Sequence, residues 1–375
     1  MELHKINKVI VVSAINFFEG GPLSILMDCL NELSSTKYSL YQIIILVHKK
    51  ELFEDKIFPN NIVFKEFPKS RKHYFYRLYY EYIYFKKISK KLNVHLWFSL
   101  HDISPRVEAK VKSVYCHNPT PFYKIQIADI RYPNLILSSF FYKYLYQINI
   151  RSNDYVIVQQ MWMKEIFCKI FNIELNKVIV ASPIHKLYQS KILENKDLET
   201  NKVFFFPCLP RPFKNIDVLG RTCQLLHKFG IFNYQLLLTI DGTENTYSKR
   251  IVERYKDIPQ IKFLGRITRT EVFEIYQKCD VLLFPSLLET WGLPMSEFKQ
   301  FNKPMFASNL PYAKETVGNY HKAIFLHPNK SQEWASYMQK IIEDKRIIFE
   351  HHEEIKTMQP KADNWSEIFD ILLKK

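Results

Sequence analysis

A chain of 375 residues has room for two domains at about 150 residues each, and 47% hydrophobic with 24% charged residues is a globular composition, neither disordered nor fibrous. No stretch has the ~18 apolar residues of a membrane span, and the first apolar run lacks the basic lead of a signal peptide, so it reads as a buried strand. Six scattered cysteines, without a CxxC pair, read as reduced thiols of a cytosolic protein and exclude a zinc site, while the net charge of +15 points to an anionic partner.

From the N-terminus, strand-like runs alternate with amphipathic helical stretches: a strand over 8–14, a helix from about 22 to 33, then a strand over 41–47. Further strands are expected at 62–64, 95–99, 113–116 and 155–158. Such alternation is the mark of a parallel sheet covered by helices, and it predicts a Rossmann-like domain over residues 1–182. The pattern fades from about 178, and residues 183–200 read as a polar linker. A second series over 201–360 places strands at 203–206, 234–240, 261–264, 280–284, 304–307 and 323–326. Helices are expected between them at 215–229, 246–255, 270–277 and from 295. Residues 361–375 form a last helix that packs back on the first domain. The fold class is α/β, with two doubly wound parallel-sheet domains facing a central cleft. In such sheets ligands bind beyond the carboxyl ends of the strands, so the chemistry belongs in the loops after strands.

The most informative of these loops follows the strand VLLFPS. Here Glu289, Thr290, Trp291 and Gly292 precede a helix that starts near Pro294 and carries Glu297. Proline in a first helical turn costs little, and the free N–H groups at a helix start suit a diphosphate. A carboxylate can accept two hydrogen bonds from a cis-diol, which suits Glu297 to a ribose and Glu289 to sugar hydroxyls. Two glutamates separated by seven residues across a strand, loop and helix, flanked by DVLLFPS, GLPMSE and KPMFASNLPYAKETVG, resemble the retaining glycosyltransferases of family 4, which have the GT-B fold.

That resemblance implies that the first glutamate contacts the donor sugar and the second the nucleotide ribose, with Thr290, Trp291, Gly292 and Leu293 supplying backbone contacts. Trp291 also reads as a core anchor. In FFFPCLPRPFKNIDVL, Lys214 fits the family's diphosphate-binding lysine, while Leu209 stands where the family usually has an arginine, a task that can pass to Arg211. Fixed cations there stabilise a leaving diphosphate as it gains charge. Gly242, after the strand LLLTI, lies in a loop on the same side.

In the first half, Gly20 and Gly21 open the helix after the first strand, and paired glycines let a backbone approach a ligand closely. His117 and Asn118, in SVYCHNPTPFY, lie just beyond a strand. Similar family members carry a histidine there, where an imidazole can hydrogen-bond a sugar hydroxyl or guide the acceptor proton. His101 and Asp102, in SLHDISP, are candidates to meet the acceptor. Residues 69–91 interleave Lys and Arg with Tyr and Phe, a mixture suited to an anionic membrane surface, and a weaker echo follows at 140–146.

The resemblance thus implies transfer of a sugar from a nucleotide-diphosphate sugar to a hydroxyl of a glycan or lipid-linked acceptor, with retained configuration, in capsule, O-antigen or lipopolysaccharide synthesis. Glu289, His117 and Lys214 are the catalytic candidates. No Asp-x-Asp pair is present, so neither metal nor cofactor is expected. A cytoplasmic site on the inner face of the membrane is expected, and no nucleic-acid module is seen. Two alternatives stand beside this reading: a nucleotide-sugar epimerase or phosphorylase of the same fold, and a basic protein that only binds membrane or nucleic acid.

Overall fold

The computed structural model describes residues 8–183, 201–349 and 353–374. In chain order the strands are β1 (Lys8–Ala14), β2 (Tyr41–Val47), β3 (Ile62–Glu66), β4 (Val94–Ser99), β5 (Val111–Cys116), β6 (Tyr155–Val158) and β7 (Val178–Ala181). There follow β8 (Lys202–Phe206), β9 (Tyr234–Leu238), β10 (Ile261–Phe263), β11 (Val281–Phe284), β12 (Met305–Ser308), β13 (Ala323–Leu326) and β14 (Lys361–Ala362). They form two sheets, ordered β14-β7-β6-β5-β4-β1-β2-β3 and β10-β9-β8-β11-β12-β13, and their pairings are parallel. The chain divides into two compact units: Met1–Pro121, Ser138–Ile184 and Thr357–Lys375 form unit 1, and Phe122–Leu137 with His185–Lys356 form unit 2.

Within each sheet the first strand of the unit is an interior strand, third from one edge. Later strands add first to one side and then to the other, so the order reverses between β1 and β4 in unit 1 and between β8 and β11 in unit 2. Loops leaving the two strands at such a reversal run to opposite faces and open a crevice between them. β1 shows why the strands form: KVIVVSA is β-branched and almost wholly apolar, as a strand covered on both faces must be. Ile10, Val12 and Ala14 face a core built with Leu26 and Leu30 of the helix Gly20–Leu33 and with Phe369 and Leu372 of the terminal helix Trp365–Leu373. Val11 faces the other way, onto Phe85 and Trp97. Each such fully buried side chain contributes about 1.5–3 kcal/mol by leaving water.

Three elements depart from the sequence reading. Val178–Ala181, read as the start of the fading pattern, is a strand of unit 1 with all four residues buried. Residues 122–137, read as part of the first domain, pack within unit 2: the Tyr132 ring meets that of Tyr247 at 5.6 Å, and Tyr123 lies 6.2 Å from Phe213. The helix after β11 starts at Leu293, one to two residues earlier than expected, with Gly292 at φ +88° as its N-cap. Residues 184–200 of the expected linker lie outside the described residues. At the chain end, β14 pairs with β7, and Trp365, Ile368 and Phe369 enter the unit 1 core.

Candidate functional site

In unit 2 the loops leaving β8 and β11 are tied together by backbone and side chain. The Leu287 N–H donates to the Phe213 carbonyl at 2.7 Å. Asn215, left-handed at φ +55°, donates its amide to the carbonyls of Pro285 and Pro328 at 3.1 and 2.8 Å, joining the loops after β8, β11 and β13. An asparagine tolerates that backbone at small cost, so one residue turns the chain and staples it. The result places Lys214 against Glu289, with Nζ 2.5 Å from Oε1 and the side chains 15% and 13% exposed. A pair so nearly buried, with one edge open to solvent, holds a cation where an arriving anion can claim it.

Glu297, on the helix Leu293–Phe298, accepts from Arg269 Nη2 at 2.9 Å and from the Tyr276 hydroxyl at 3.5 Å. Burial raises its carboxyl above the usual range, opposed by the Arg269 charge and the Tyr276 hydroxyl. The sequence reading missed Arg269 and Tyr276. A signal for the first was present: Thr268 and Glu271 form a reciprocal capping box, which starts the helix Arg269–Lys278 one residue before the expected position and sets Arg269 in its first turn.

The neighbouring candidates fall into place around these pairs. Gly292 holds a φ of +88° that a side chain would strain, and a Cβ there would stand 2.6 Å from Met295 Cε, the movable end of that side chain. Trp291 is anchored at both ends: its indole N–H donates to Ser296 Oγ at 2.8 Å and its carbonyl accepts from the Thr316 hydroxyl, so of its two readings the structure gives the anchor. Thr290 is half-buried beside it and Leu293 is exposed. Of the N–H groups expected to be free at this helix start, that of Met295 is spent on the Gly292 carbonyl. Arg211 is exposed, its guanidinium 5.8 Å from the Phe213 ring, and Leu209 is also exposed. Gly242, at φ +95°, gives its N–H to the Glu244 carboxylate at 3.1 Å.

In unit 1, Gly20 (φ +65°) and Gly21 open the helix after β1, with nothing close to where a Cβ would stand. After β4 the chain turns through Asp102 at φ +70°. Its Oδ1 accepts from the N–H groups of His117 and Asn118 at 2.7 and 3.0 Å and from the Tyr146 hydroxyl at 2.7 Å. This fixes the loop after β5 to the loop after β4. His117 Nδ1 lies 3.6 Å from the same oxygen, its side chain is 14% exposed, and the Phe17 ring stands edge-on to it at 5.6 Å.

His101, expected to meet an acceptor, is 0% exposed. Arg77 donates to its carbonyl at 2.9 Å and lies 3.3 Å from Nδ1, while Ser13 Oγ and Glu81 Oε1 lie 3.1 Å from Nε2. Asp102 is also buried and its Oδ1 is occupied, so burial and these contacts make both residues supports of the loop from beneath. Burial, then the Arg77 charge, holds the His101 imidazole well below its usual range. Burial pushes the Glu81 carboxyl up to about 8 against the pull of Arg77, and neither Glu81 oxygen has an aligned hydrogen bond among the described residues.

The comparisons agree with this build. The model of the family described as "Glycosyl transferases group 1" matches residues 190–362. The O-antigen chain mannosyltransferase RfbU of Salmonella typhimurium is 22% identical over 233 residues, 61% of this chain and 60% of that protein, so less than two thirds of the relative is spanned. Among solved structures, sucrose-phosphate synthase from Thermosynechococcus elongatus superposes with a TM-score of 0.63 at 14% identity over 90% of each chain. HepE from Anabaena, in complex with UDP and glucose, gives 0.62 at 15% identity, again over 90% of each chain. At such identities the structures establish the fold alone. Residues 190–362 thus match the group 1 glycosyltransferases, and the two parallel-sheet units have the GT-B fold.

Proposed function

We propose that the protein transfers a sugar from a nucleotide-diphosphate sugar to a hydroxyl of a glycan or lipid-linked acceptor in the synthesis of O-antigen, lipopolysaccharide or capsule, with retention of configuration. The observation that carries this reading is the Lys214–Glu289 pair at the β8/β11 reversal with Glu297 on the following helix. An incoming diphosphate competes with Glu289 for Lys214, and the released carboxylate then accepts hydrogen bonds from the donor sugar. Glu297, already turned by Arg269, takes the ribose diol. In the transfer the bond from the anomeric carbon to the diphosphate oxygen breaks and its electron pair leaves with the diphosphate. The acceptor oxygen forms the new bond, and its proton passes to the departing phosphate. Charge on the leaving group is met by Lys214, so this reading calls for no metal or cofactor.

On unit 1 the loop at His117 and Asn118 serves as the acceptor-side element, held by Asp102. The relative's name makes a mannosyl donor the first to try. For membrane association, the Tyr74 and Phe141 rings meet at 4.8 Å, joining the two basic-aromatic segments on unit 1, where Phe75 and Phe140 are 69% and 54% exposed. No helix among the described residues is long and apolar enough to cross a membrane, so attachment in this reading is to the anionic surface.

The test is thermal stabilisation of the wild type and Glu297→Ala by UDP, GDP, ADP, CMP and dTDP, because a ligand that binds the native state raises its midpoint. One nucleotide raising the midpoint of the wild type and not of the variant is the expected result. No response to any of the five removes the donor-binding reading.

A further inference from the structure

A cavity in unit 2, of about 250 Å³, lies where residues 122–137 meet the helices Ile216–Lys228 and Thr246–Tyr255. It contains none of Lys214, Glu289 or Glu297. Four arginines (Arg131, Arg221, Arg250 and Arg254) and two aspartates (Asp129 and Asp217) line it, leaving an excess of positive charge. Both carboxylates already have partners. Asp217 holds both Arg221 and Arg254, at 3.3 and 3.0 Å, and also accepts from the Tyr255 hydroxyl. Asp129 accepts from the Gln126 N–H at 2.7 Å. Neither Arg131 nor Arg250 has a carboxylate partner among the described residues, and both are exposed.

Tyr247 is an independent sign of a ligand. It is 7% exposed and lines the cavity, and its hydroxyl oxygen accepts from the Ile216 N–H at 3.1 Å. The hydroxyl's own proton has no acceptor among the described residues, and a buried donor left unused is costly unless something arrives to take it. Beside it, the Tyr132 ring stands edge-on to Tyr247, with the Arg250 guanidinium 5.7 Å from its centroid. Guanidinium forks and a phenolic O–H match the oxygens of a phosphate, and an aromatic face packs against the C–H side of a sugar ring.

We propose that this cavity binds a phosphate-bearing saccharide, with Arg131, Arg250 and the Tyr247 hydroxyl as donors to the phosphate and Tyr132 beside the sugar. The site goes beyond the donor site, and it rests on the proposed function only for the view that a saccharide is the natural carrier. Calorimetric titration of the full chain with mannose 1-phosphate and, separately, inorganic phosphate tests it. The sugar phosphate binds the wild type about tenfold more tightly than inorganic phosphate, and the exposed double variant Arg131→Gln/Arg250→Gln weakens it about a hundredfold. Lys214→Ala leaves this binding intact, and the nucleotide response of the double arginine variant matches the wild type. Sugar-phosphate binding that ignores the double variant, or that vanishes with Lys214→Ala, overturns the site. Equal affinity for the two probes overturns the saccharide assignment. Loss of every nucleotide response with this binding preserved counts against the proposed function alone.

Discussion

At the β1/β4 reversal of unit 1 the ionisable side chains are sealed in: Arg77, Glu81, His101 and Asp102 are all buried and contact one another or the backbone of adjacent loops. At the β8/β11 reversal of unit 2, Lys214 pairs with Glu289 and Glu297 pairs with Arg269, each pair having an edge open to solvent. Both sheets have the same strand order about their reversal points, yet the charged groups come from different elements: Lys214 and Glu289 from the loops after β8 and β11, Arg77 and Glu81 from the helical segment between β3 and β4. Burial decides what they do. Sealed groups hold loops in shape at an electrostatic cost, whereas open pairs can exchange a protein partner for a ligand.

The contrast is broken most directly at Lys214. Lys214→Ala is expected to lower kcat for transfer by about 10²–10³, because it removes the fixed cation on the leaving group. Turnover of labelled donor at the wild-type rate would place the chemistry elsewhere. On the sealed side, Asp102→Ala strips the acceptor from two backbone N–H groups and one hydroxyl and should lower unfolding free energy by about 3 kcal/mol in urea titrations. A loss below about 1 kcal/mol would mean that Asp102 is not the clamp of these loops.

A third effect is a slope in pH. The Glu81 carboxyl, at about 8 in the fold against an ordinary 4.5, keeps a proton that the unfolded chain gives up between those values. Its contribution to stability is therefore full below pH 4.5 and is lost as pH rises through about 8. Glu81→Gln, neutral throughout, should flatten the fall of the melting midpoint across that interval. Parallel curves for the wild type and the variant would show Glu81 to be ionised in the native state.

Much of this was legible in the sequence where one segment carried its own signal. β-branched and aromatic runs such as KVIVVSA and VLLF marked strands because they are covered on both faces. Glu289 and Glu297 were legible because a strand, a glycine and a proline fix the path between them. The sealed network was not. Arg77 and Glu81 sit in a stretch crowded with lysine and tyrosine that reads as surface, and only the fold brings them under His101. Residues 122–137 carry no local mark of the unit they join, since that choice rests on partners such as Tyr247 more than a hundred residues away. Val178–Ala181 was missed because four apolar residues beside a polar run are too few to show a period.

The return of the chain to unit 1 has a consequence for assembly during synthesis. β14 extends the first sheet and the helix Trp365–Leu373 closes its core, so that core is completed only by residues made after those of unit 2. The 185–356 segment of unit 2 has left the ribosome by then and can close its sheet without waiting. Until then, Leu26 and Phe98 lack the cover of Phe369, and the nascent protein carries an unroofed apolar surface for as long as the second unit takes to be translated.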